Sequence, residues 1–577
     1  MEMTGAQIIV ECLKREGVKI IFGIPGGVTL PMFDVLYDSP IRFVLTKHEQ
    51  GATHMADAYA RASGRVGVCT ATSGPGATNL VTGLATAYMD SSPIIAITSQ
   101  VRSDVIGSDA FQEADATGIM RPVTKHNYLV KDPRDLVRVI REAFLIASTG
   151  RPGPVHIDIP VDIQRAKTEF KWIENISIRS YRPKLEGHPL QIKKAADLIA
   201  SAQRPLLYAG GGVIGSDTAE VLRKLAEKAD MPVATTLMGN GAIPFDHPLY
   251  IGMLGMHGKY VCNKAIQSCD LLVACGVRFD DRVTGKLSAF SPHSKKIHID
   301  IDPSSIGKNV MTDVPVVGDL RNVLPRLLEA VQKKSHPEWK KQLKQLDQQH
   351  PMAYKDDDKK GYVKPQYVID KLHQMTKGEA LVTTGVGQHQ MWAMQWYAAK
   401  RPRHFITSGG LGTMGYGFPA AIGAKMARPE DTVVCIDGDG SFQMMMTEMA
   451  TAVRENVKII VIVFNNCVLG MVRQWQDLFY NQRFAATYQL APGGRAVKGA
   501  EPDPKKTPYV PDFMKWAEAY GILGIRVNSR NQVESALKQA FKSDKSVLIE
   551  VSVHQSEKVM PMVPAGASLD EIILDMA

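Results

Sequence analysis

Short apolar runs alternate with stretches of helical periodicity along most of the chain, which predicts layers of β-strands and α-helices. The runs that predict strands are residues 19–22, 42–45, 67–72, 94–98, 155–159, 205–208, 271–274, 296–301, 432–436 and 459–464. Thr4 is a predicted helix N-cap for residues 6–16, and Gly17 ends that helix. The pattern indicates the α/β class.

The chain is 577 residues long, too long for a single core, so several domains are expected. We predict an N-terminal domain at 1–170, a central domain at 188–335 and a C-terminal domain at 365–577. The charged stretch 333–364 predicts a helix and a linker, with the linker placed at 336–364. The strand at 205–208 runs into three glycines, Gly210, Gly211 and Gly212, a tight glycine-rich exit.

Composition excludes several classes of function. Hydrophobic residues make up 45% and charged residues 22%, which is typical of a soluble globular protein. The net charge of +9 is spread along the chain and is not interleaved with aromatic residues, so no nucleic-acid partner is expected. No apolar run approaches the roughly 18 residues of a membrane span. The seven cysteines form no CxxC pair and the chain starts without a targeting segment, so we expect reduced thiols in the cytoplasm.

Two polar motifs follow two of the predicted buried strands. Gly438-Asp439-Gly440-Ser441 comes after the strand at 432–436, and Asn465-Asn466 comes after the strand at 459–464. The carboxyl ends of parallel strands are where open α/β sheets place their ligands. The Asp439 carboxylate and the Asn466 amide oxygen are hard ligands that suit Mg²⁺ on a phosphate. Alone, Gly-Asp-Gly is also a common turn sequence.

A third candidate is Glu49, in the segment His48-Glu49-Gln50-Gly51-Ala52, which follows the strand at 42–45 and opens a helix of small residues. A glutamate at a helix N-terminus is often only a favourable charge on the helix dipole. A glutamate beside a heteroaromatic cofactor can instead share a proton with a ring nitrogen.

The paired motifs resemble the cofactor-binding motifs of the thiamine-diphosphate-dependent enzymes. The resemblance implies that Asp439, Asn466 and the backbone carbonyl of Val468 hold Mg²⁺ on the cofactor's diphosphate. It also implies that Glu49 is the proton-relay residue and that it meets the diphosphate site across a subunit interface. A homodimer or homotetramer of three doubly wound parallel-sheet domains is therefore expected.

Over nearly its full length the chain resembles the catalytic large subunits of acetohydroxyacid synthase (acetolactate synthase). The segments that carry the resemblance are 23–27, 71–79, 107–113, 255–258, 278–285, 408–417, 469–475 and 561–564. The family implies thiamine diphosphate, Mg²⁺, a structural FAD and, as a further partner, a small regulatory subunit.

The resemblance also implies the roles of individual residues. The catalytic residues are Glu49, Gly27 and Gln112, of which Gln112 and the backbone of Gly26 and Gly27 would lie near the reacting carbonyl. Those at thiamine diphosphate are Glu49, Gly387, Gln388, His389, Gly412, Met414, Gly438, Gly440, Ser441, Met444, Gly470 and Met471. Those at FAD are Arg151, Gly210, Gly211, Gly212, Thr236, Leu237, Met256, His257, Gly276, Arg278, Asp280, Arg282, Asp300, Ile301 and Asp319. Those of the substrate pocket are Phe111, Arg282, Met471 and Trp475.

The activity implied is decarboxylation of pyruvate and transfer of its two-carbon unit to a second pyruvate or to 2-oxobutyrate. The products are 2-acetolactate and 2-aceto-2-hydroxybutyrate, intermediates of branched-chain amino-acid synthesis. A pyruvate oxidase that uses the same cofactors, and a non-catalytic regulatory subunit that binds them, are the alternatives. Glyoxylate carboligases lack the activating glutamate, so the presence of Glu49 disfavours that activity.

The chain departs from the family pattern at three places. Val161 stands where many relatives carry lysine, and Arg102 stands where proline is frequent. Residues 489–510 form an apparent insertion, which overlaps the end of a stretch, 471–509, that we interpret as a lid over the active site. The effects of these departures are not set by the sequence.

Overall fold

A computed structural model describes residues 1–355, 359–489 and 510–574 of the chain. Within these residues the strands form three six-stranded sheets and one two-stranded ribbon. Every neighbouring pair in the three large sheets is parallel. Parallel pairing needs helical crossovers that cover the sheet, so strands and helices alternate. The predicted fold class, α/β with three doubly wound sheets, is confirmed.

The first sheet unit is N-terminal. Its strands are β1 (Glu2–Thr4), β2 (Ile20–Gly23), β3 (Arg42–Leu45), β4 (Gly67–Ala71), β5 (Ile94–Gln100), β6 (His126–Leu129), β7 (Val155–Pro160) and β8 (Lys167–Glu169). Its helices are α1 (Gly5–Arg15), α2 (Leu30–Tyr37), α3 (Glu49–Ser63), α4 (Pro75–Asn79), α5 (Val81–Asp90), α6 (Ala116–Met120), α7 (Leu136–Ser148) and α8 (Val161–Arg165). The sheet order is β3-β2-β4-β5-β7-β6, and β1 pairs antiparallel with β8. Thr4 caps α1 and forms a capping box with Gln7, as the sequence predicts for Thr4.

The central unit has the sheet order β11-β10-β9-β12-β13-β14. Its strands are β9 (Pro205–Ala209), β10 (Val233–Thr235), β11 (Tyr250–Met253), β12 (Leu271–Cys275), β13 (Lys295–Asp300) and β14 (Val314–Val317). Its helices are α9 (Pro189–Ser201), α10 (Gly211–Gly215), α11 (Ala219–Ala229), α12 (Tyr260–Ser268), α13 (Asp281–Thr284), α14 (Leu320–Ala330) and α15 (Pro337–Gln349). In chain order this is the 3-2-1-4-5-6 arrangement of dinucleotide-binding sheets.

The third unit repeats the strand order of the first, as β16-β15-β17-β18-β20-β19. Its strands are β15 (Leu381–Thr384), β16 (Phe405–Thr407), β17 (Val433–Gly438), β18 (Ile460–Asn465), β19 (Leu523–Val527) and β20 (Val547–Ser552). Its helices are α16 (Pro365–Thr376), α17 (Gln388–Trp396), α18 (Gly417–Ala427), α19 (Asp439–Gln443), α20 (Met449–Arg454), α21 (Gly470–Phe479), α22 (Phe513–Ala519) and α23 (Arg530–Lys542). The domain limits at 1–170, 188–335 and 365–577 stay predictions.

Helix α3 of the first unit packs along α18 of the third, and their small residues share one buried core. Gly423 on α18 lies so close to the backbone of Met55 on α3 that a Cβ at Gly423 would collide with it. Close packing of small-residue faces leaves no room for a cleft between these two helices. The first and third units are therefore joined face to face within one chain.

Two segments outside the sheets pack on the central unit. Helix α15, inside the predicted linker, buries Trp339, whose indole N–H donates to the Pro205 carbonyl at 3.0 Å. The C-terminal segment returns from the third unit, where the Val563 amide donates to the Met256 carbonyl at 2.8 Å and Leu569 is buried. The central unit is thereby tied to the third one.

The cysteines and the length of the helices bear on two expectations, reduced thiols and no membrane span. Of the seven cysteines, six are buried and Cys467 is half-buried, and all are free thiols. In the part of the chain that the structure describes, none of the helices combines the length and the apolar character that crossing a bilayer requires.

Candidate active site at the edges of the three sheets

One cavity of about 1120 Å³ lies where the three units meet. It extends from the carboxyl edge of the central sheet to the carboxyl edge of the third sheet, and its side wall comes from the first unit. Ligand sites usually measure about 300 to 1,000 Å³, so the cavity has room for more than one small ligand.

The central end of the cavity lies at the point where the strand order reverses, between β9 and β12. The Gly210 amide donates to the Cys275 carbonyl at 3.0 Å, and the Gly212 amide donates to the Gly276 carbonyl at 3.0 Å. A Cβ at Gly212 would lie 2.6 Å from the Gly276 backbone. Glycines are required for the two strand exits to approach this closely, and such a crevice is where doubly wound sheets bind nucleotides.

Every residue that the sequence assigned to FAD lines this cavity. Asp300 stands at the carboxyl end of β13, and burial raises its pKa to about 6. From the first unit, the Arg151 guanidinium reaches Asp302 at 3.4 Å and donates to the Ser91 hydroxyl at 2.8 Å. The central end thus combines a glycine-lined crevice with acidic acceptors and a cation from a neighbouring unit.

The opposite end of the cavity holds the Gly-Asp-Gly-Ser and Asn-Asn motifs. Asp439 is 2% exposed at the start of α19, and burial raises its pKa to about 7. Its Oδ2 accepts from the Gln489 side chain at 3.0 Å. Asn466 and Val468 line the same end, where Oδ1 of Asn466 accepts from the Val468 amide at 3.2 Å. The residues predicted for Mg²⁺ are therefore brought together.

The two asparagines of the second motif are separated by their partners. The Asn465 side chain donates to Glu550 of β20 at 2.7 Å, so it is held in the sheet. Asn466 follows the end of β18 and lines the cavity. Only the second asparagine thus offers its amide oxygen at this end.

Gln388 and His389, at the start of α17, supply buried polar atoms to the cavity. The Gln388 amide nitrogen donates to Gln474 at 2.9 Å and to the Glu557 carbonyl at 2.8 Å. Burial lowers the pKa of His389 to about 3, so its imidazole is neutral. Among the described residues, Oε1 of Gln388 has no hydrogen-bond partner, and Nε2 of His389 lies 3.4 Å from a carboxylate oxygen of Asp437. A buried atom without a partner, such as Oε1 of Gln388, is typical of a site built for a polar ligand.

The loop that carries Gly412 and Met414 into the cavity is held by the first unit. Asp90, at the end of α5, accepts from the amides of Gly409 at 3.1 Å and Gly410 at 2.7 Å. Burial raises the pKa of Asp90 to about 6, and the Arg61 guanidinium lies 3.8 Å from its carboxylate. The position of Met414 thus depends on contacts between two units of one chain.

The predicted substrate pocket is assembled in part. The Arg282 guanidinium lies 5.7 Å from the centre of the Trp475 ring, a cation–π arrangement, and Met471 lines the same region. The adjacent His257 is buried, which lowers its pKa to about 4, and Nδ1 lies 3.1 Å from the Pro561 carbonyl. Phe111, the fourth residue predicted here, is 88% exposed and does not line the cavity.

Glu49 and its predicted neighbours form a second cluster, away from the cavity and at the carboxyl edge of the first sheet. Glu49 is 8% exposed, and its Oε2 accepts from the Asn79 side chain at 3.0 Å. A Cβ at Gly76 would lie 3.4 Å from Oε1 of Glu49, and a Cβ at Gly74 would lie 2.6 Å from the Gln112 carbonyl oxygen. This cluster follows β3 and β4, at the strand-order reversal of the first sheet.

Within one chain this first-unit cluster is open on one side. Gly27 and Gln112 are exposed, and none of Glu49, Gly27 and Gln112 lines the cavity that contains Asp439. Helices α3 and α18 are packed together, so no passage between them joins the two places. The chain therefore presents two half-sites that face different spaces.

Other residues singled out from the sequence lie outside the cavity. Met444, predicted at thiamine diphosphate, follows the end of α19, is 55% exposed and does not line the cavity. Val161 is buried at the start of α8, and the Arg102 guanidinium pairs with Asp104 at 2.9 Å on the surface. Most of the insertion predicted at 489–510 lies outside the described residues. The same is true of the last part of the stretch that we interpret as a lid.

Three residues in contact with the two half-sites were not predicted from the sequence: Gln489 on Asp439, Asp90 on the Met414 loop and Asn79 on Glu49. Asn79 could have been found from the sequence, because it stands in the 71–79 segment that carries the family resemblance. Asp90 and Gln489 have no local motif, because their partners lie far away along the chain.

The residues present fit thiamine diphosphate with Mg²⁺. The Asp439 carboxylate, the Asn466 amide oxygen and the Val468 backbone carbonyl form a set of hard oxygen donors. A Mg²⁺ ion bound beside Asp439 would favour the ionised form of its carboxyl group. Among the described residues, no group of three or more His, Cys, Asp or Glu is arranged to hold a metal ion, and this donor set, with its single carboxylate, is not of that kind. The central crevice fits a dinucleotide.

The three parallel-sheet units correspond to the three domains of a known class of α/β enzymes, the thiamine pyrophosphate enzymes. The models for thiamine pyrophosphate enzymes match the N-terminal TPP binding domain at residues 3–119, the central domain at 192–327 and the C-terminal TPP binding domain at 385–551.

Similar proteins narrow the class. The chain is 48% identical to the probable acetolactate synthase large subunit of Methanocaldococcus jannaschii, over 99% of this chain and 95% of that protein. It is 45% identical to the acetolactate synthase isozyme 3 large subunit of Escherichia coli, over 100% of this chain and 99% of that protein. It is 48% identical to the acetolactate synthase large subunit of Corynebacterium glutamicum, over 99% of this chain and 90% of that protein. The chain belongs to the acetolactate synthase large-subunit family of thiamine pyrophosphate enzymes.

Proposed function

We propose that the chain is a thiamine-diphosphate-dependent carboligase that decarboxylates pyruvate and adds its two-carbon unit to a second 2-keto acid. The observation that carries this proposal is the single cavity in which Asp439, Asn466 and Val468 lie at one end and a nucleotide-type crevice lies at the other. When bound, the cofactor supplies a carbon nucleophile and an electron sink.

The residues of the third unit hold and orient the cofactor in this proposal. Asp439, Asn466 and the Val468 carbonyl would hold Mg²⁺, which would offset the charge of the diphosphate. The neutral His389 would donate a hydrogen bond without adding charge. Met414, on the loop held by Asp90, would offer an apolar surface to the cofactor.

Glu49 supplies the proton relay, and it reaches the cofactor bound by a second copy of the chain. This assignment fits the exposure of Gly27 and Gln112 beside Glu49, whereas Asp439 is buried in the wall of the cavity. It makes the smallest active unit a homodimer, and a homotetramer contains the same pair of sites twice.

The acceptor pocket is formed by Arg282, Trp475 and Met471. The guanidinium binds the carboxylate of the second 2-keto acid, and the indole face gives an apolar wall for its alkyl group. An acceptor with an ethyl group, 2-oxobutyrate, gains contact with this wall. We propose both pyruvate and 2-oxobutyrate as acceptors.

FAD occupies the central crevice as a structural group, because the proposed reaction has no net redox step. The free thiols support a reducing compartment, and we propose a cytoplasmic location. The relatives named large subunits support a small regulatory subunit as a partner.

One assay tests the activity. The chain is supplied with thiamine diphosphate, Mg²⁺, FAD and pyruvate, with and without 2-oxobutyrate, and the products are identified by mass. We expect 2-acetolactate, a second product when 2-oxobutyrate is added, and no peroxide. Peroxide with acetate formation would indicate an oxidase, and cofactor binding without CO₂ release would indicate a regulatory subunit.

A further inference from the structure

The segment immediately before Glu49 is held by a carboxylate from the third unit. The Lys47 amide donates to Glu448 at 3.0 Å to Oε1 and 3.2 Å to Oε2, and the His48 amide donates to Oε1 at 2.9 Å. The Thr451 hydroxyl also donates a hydrogen bond to Oε2 of Glu448, at 2.6 Å. Glu448 is 0% exposed, so one buried side chain receives all these donors.

The surroundings are shaped around this carboxylate. Gly51, on the first turn of α3, lies against Glu448, and a Cβ there would collide with Oε1. The Thr451 hydroxyl also lies 3.3 Å from the Leu45 carbonyl, at the end of the strand that leads to Glu49. The segment is therefore held from β3 to the first turn of α3.

Glu448 is joined to the metal site of its own chain by a short series of turns. Helix α19 begins at Asp439, and the Met445 amide donates to the Phe442 carbonyl at 3.2 Å. The Glu448 amide then donates to the Met445 carbonyl at 3.1 Å. The carboxylate that holds the Glu49 segment therefore stands in the turns that directly follow the Asp439 helix.

We propose that Glu448 is a positioning residue for Glu49: its buried carboxylate fixes the backbone of the segment that carries the glutamate which the chain presents to its partner. The proposal rests on the proton-relay role assigned to Glu49 above. Glu448 does not line the cavity and acts through the backbone amides of Lys47 and His48.

The expected size of the effect follows from geometry. Misplacing a catalytic group by about 1 Å can lower a rate about 100-fold. Removing the carboxylate leaves the Lys47 and His48 amides without their acceptor in a buried place, so the segment shifts to find new partners. The diphosphate ligands themselves are unchanged.

The kinetic test compares Glu448→Ala, Glu448→Gln and a matched control, Glu455→Gln. Glu455 also joins the third unit to the first, by an ion pair with Arg42 at 2.6 Å, but it does not contact the Glu49 segment. We expect kcat to fall about 10- to 100-fold in Glu448→Ala. Glu448→Gln keeps one acceptor oxygen and recovers part of that loss, and Glu455→Gln retains kcat. Half-saturation by thiamine diphosphate changes less than about threefold in all of them, as expected for an effect on the chemical step alone.

A double-variant cycle separates this proposal from the role of Glu49. If Glu448 acts through Glu49, Glu49→Gln and Glu49→Gln/Glu448→Ala have the same residual activity. If the two losses multiply, Glu448 acts elsewhere and the proposal is wrong. If Glu49→Gln alone keeps full activity, the proton-relay assignment fails instead.

A second readout needs no cofactor and no turnover. In the cofactor-free protein, hydrogen exchange of the Lys47 and His48 amides should be at least about tenfold faster in Glu448→Ala than in the wild type. In Glu455→Gln it should be unchanged. Unchanged exchange in Glu448→Ala would overturn the proposal, whatever the kinetics show.

Discussion

The first and third sheets have the same strand order and place their half-sites at the same reversal of that order, yet the two half-sites differ. Asp439 and Asn466 are buried and line the large cavity. Glu49 is also buried, but its neighbours Gly27 and Gln112 are exposed and outside that cavity. One scaffold therefore presents a cavity-lining site and a second cluster with exposed neighbours in the same chain.

The difference follows from what each half-site has to do. A metal and a diphosphate are held by several oxygen donors at once, and burial strengthens each of these interactions. A proton relay needs one carboxylate and a surface that another molecule can cover. In the account proposed above, that molecule is a second copy of the chain.

The largest effect is expected for Glu49→Gln, which leaves the anchoring site intact. Gln keeps the size of the side chain but cannot share the proton, so kcat should fall about 10² to 10⁴-fold. Cofactor binding, followed by calorimetry, should be retained. Loss of binding together with activity would place Glu49 among the anchoring residues.

The next largest effect is expected for Asp439→Asn, which acts on the other half-site. The loss of a carboxylate ligand should weaken Mg²⁺-dependent binding of thiamine diphosphate by more than the roughly 10- to 100-fold seen for outer-shell partners. Excess Mg²⁺ and cofactor should recover part of the activity. Asp544→Asn, which neutralises an exposed carboxylate of the same unit, is the control and should bind normally.

A smaller effect is expected for Trp475→Leu, in the proposed acceptor pocket. A smaller apolar wall should lower the preference for 2-oxobutyrate over pyruvate by up to about tenfold, within the range for one methylene group. Product ratios in competition assays measure this. Trp172→Leu is the control, since Trp172 is also half-buried and lies 4.7 Å from the Arg141 guanidinium, far from the cavity. Equal changes in both variants would remove Trp475 from the pocket.

The smallest effect concerns stability in the first unit. Burial raises the pKa of Asp158 to about 6, from an ordinary value near 4. Between about pH 4 and 6 the folded protein then holds a proton that the unfolded chain has lost, so the free energy of unfolding falls as pH rises. The variant Asp158→Asn lacks this pH-dependent contribution to the free energy of unfolding. Its Tm relative to wild type should be higher at pH 7 than at pH 4.5, and an equal difference at both pH values would contradict the shift.

Much of the fold and part of the site could be predicted from local patterns. The apolar runs that became β17 and β18 end where Asp439 and Asn466 begin, so the motif and the sheet edge are visible together. The glycine exit after β9 is visible in the same way. Short strands such as β10 and β16, of three residues each, carry too few positions to show a period.

Contacts between units could not be predicted. Glu448 and His48 are separated by 400 positions, and no local rule links a glutamate after α19 with an amide before α3. Asp90 and Gly410 pose the same problem at a separation of 320. Such pairs depend on how the units dock, which sequence periodicity does not report.

The most direct test of the two-half-site account mixes two inactive variants. Chains carrying Glu49→Gln and chains carrying Asp439→Asn are unfolded together, refolded with cofactors and assayed. If Glu49 serves the cofactor of a partner, mixed dimers contain one intact site, and the mixture should recover about one quarter of wild-type activity by random pairing. Mixed dimers that are shown to form and yet remain inactive would contradict the account.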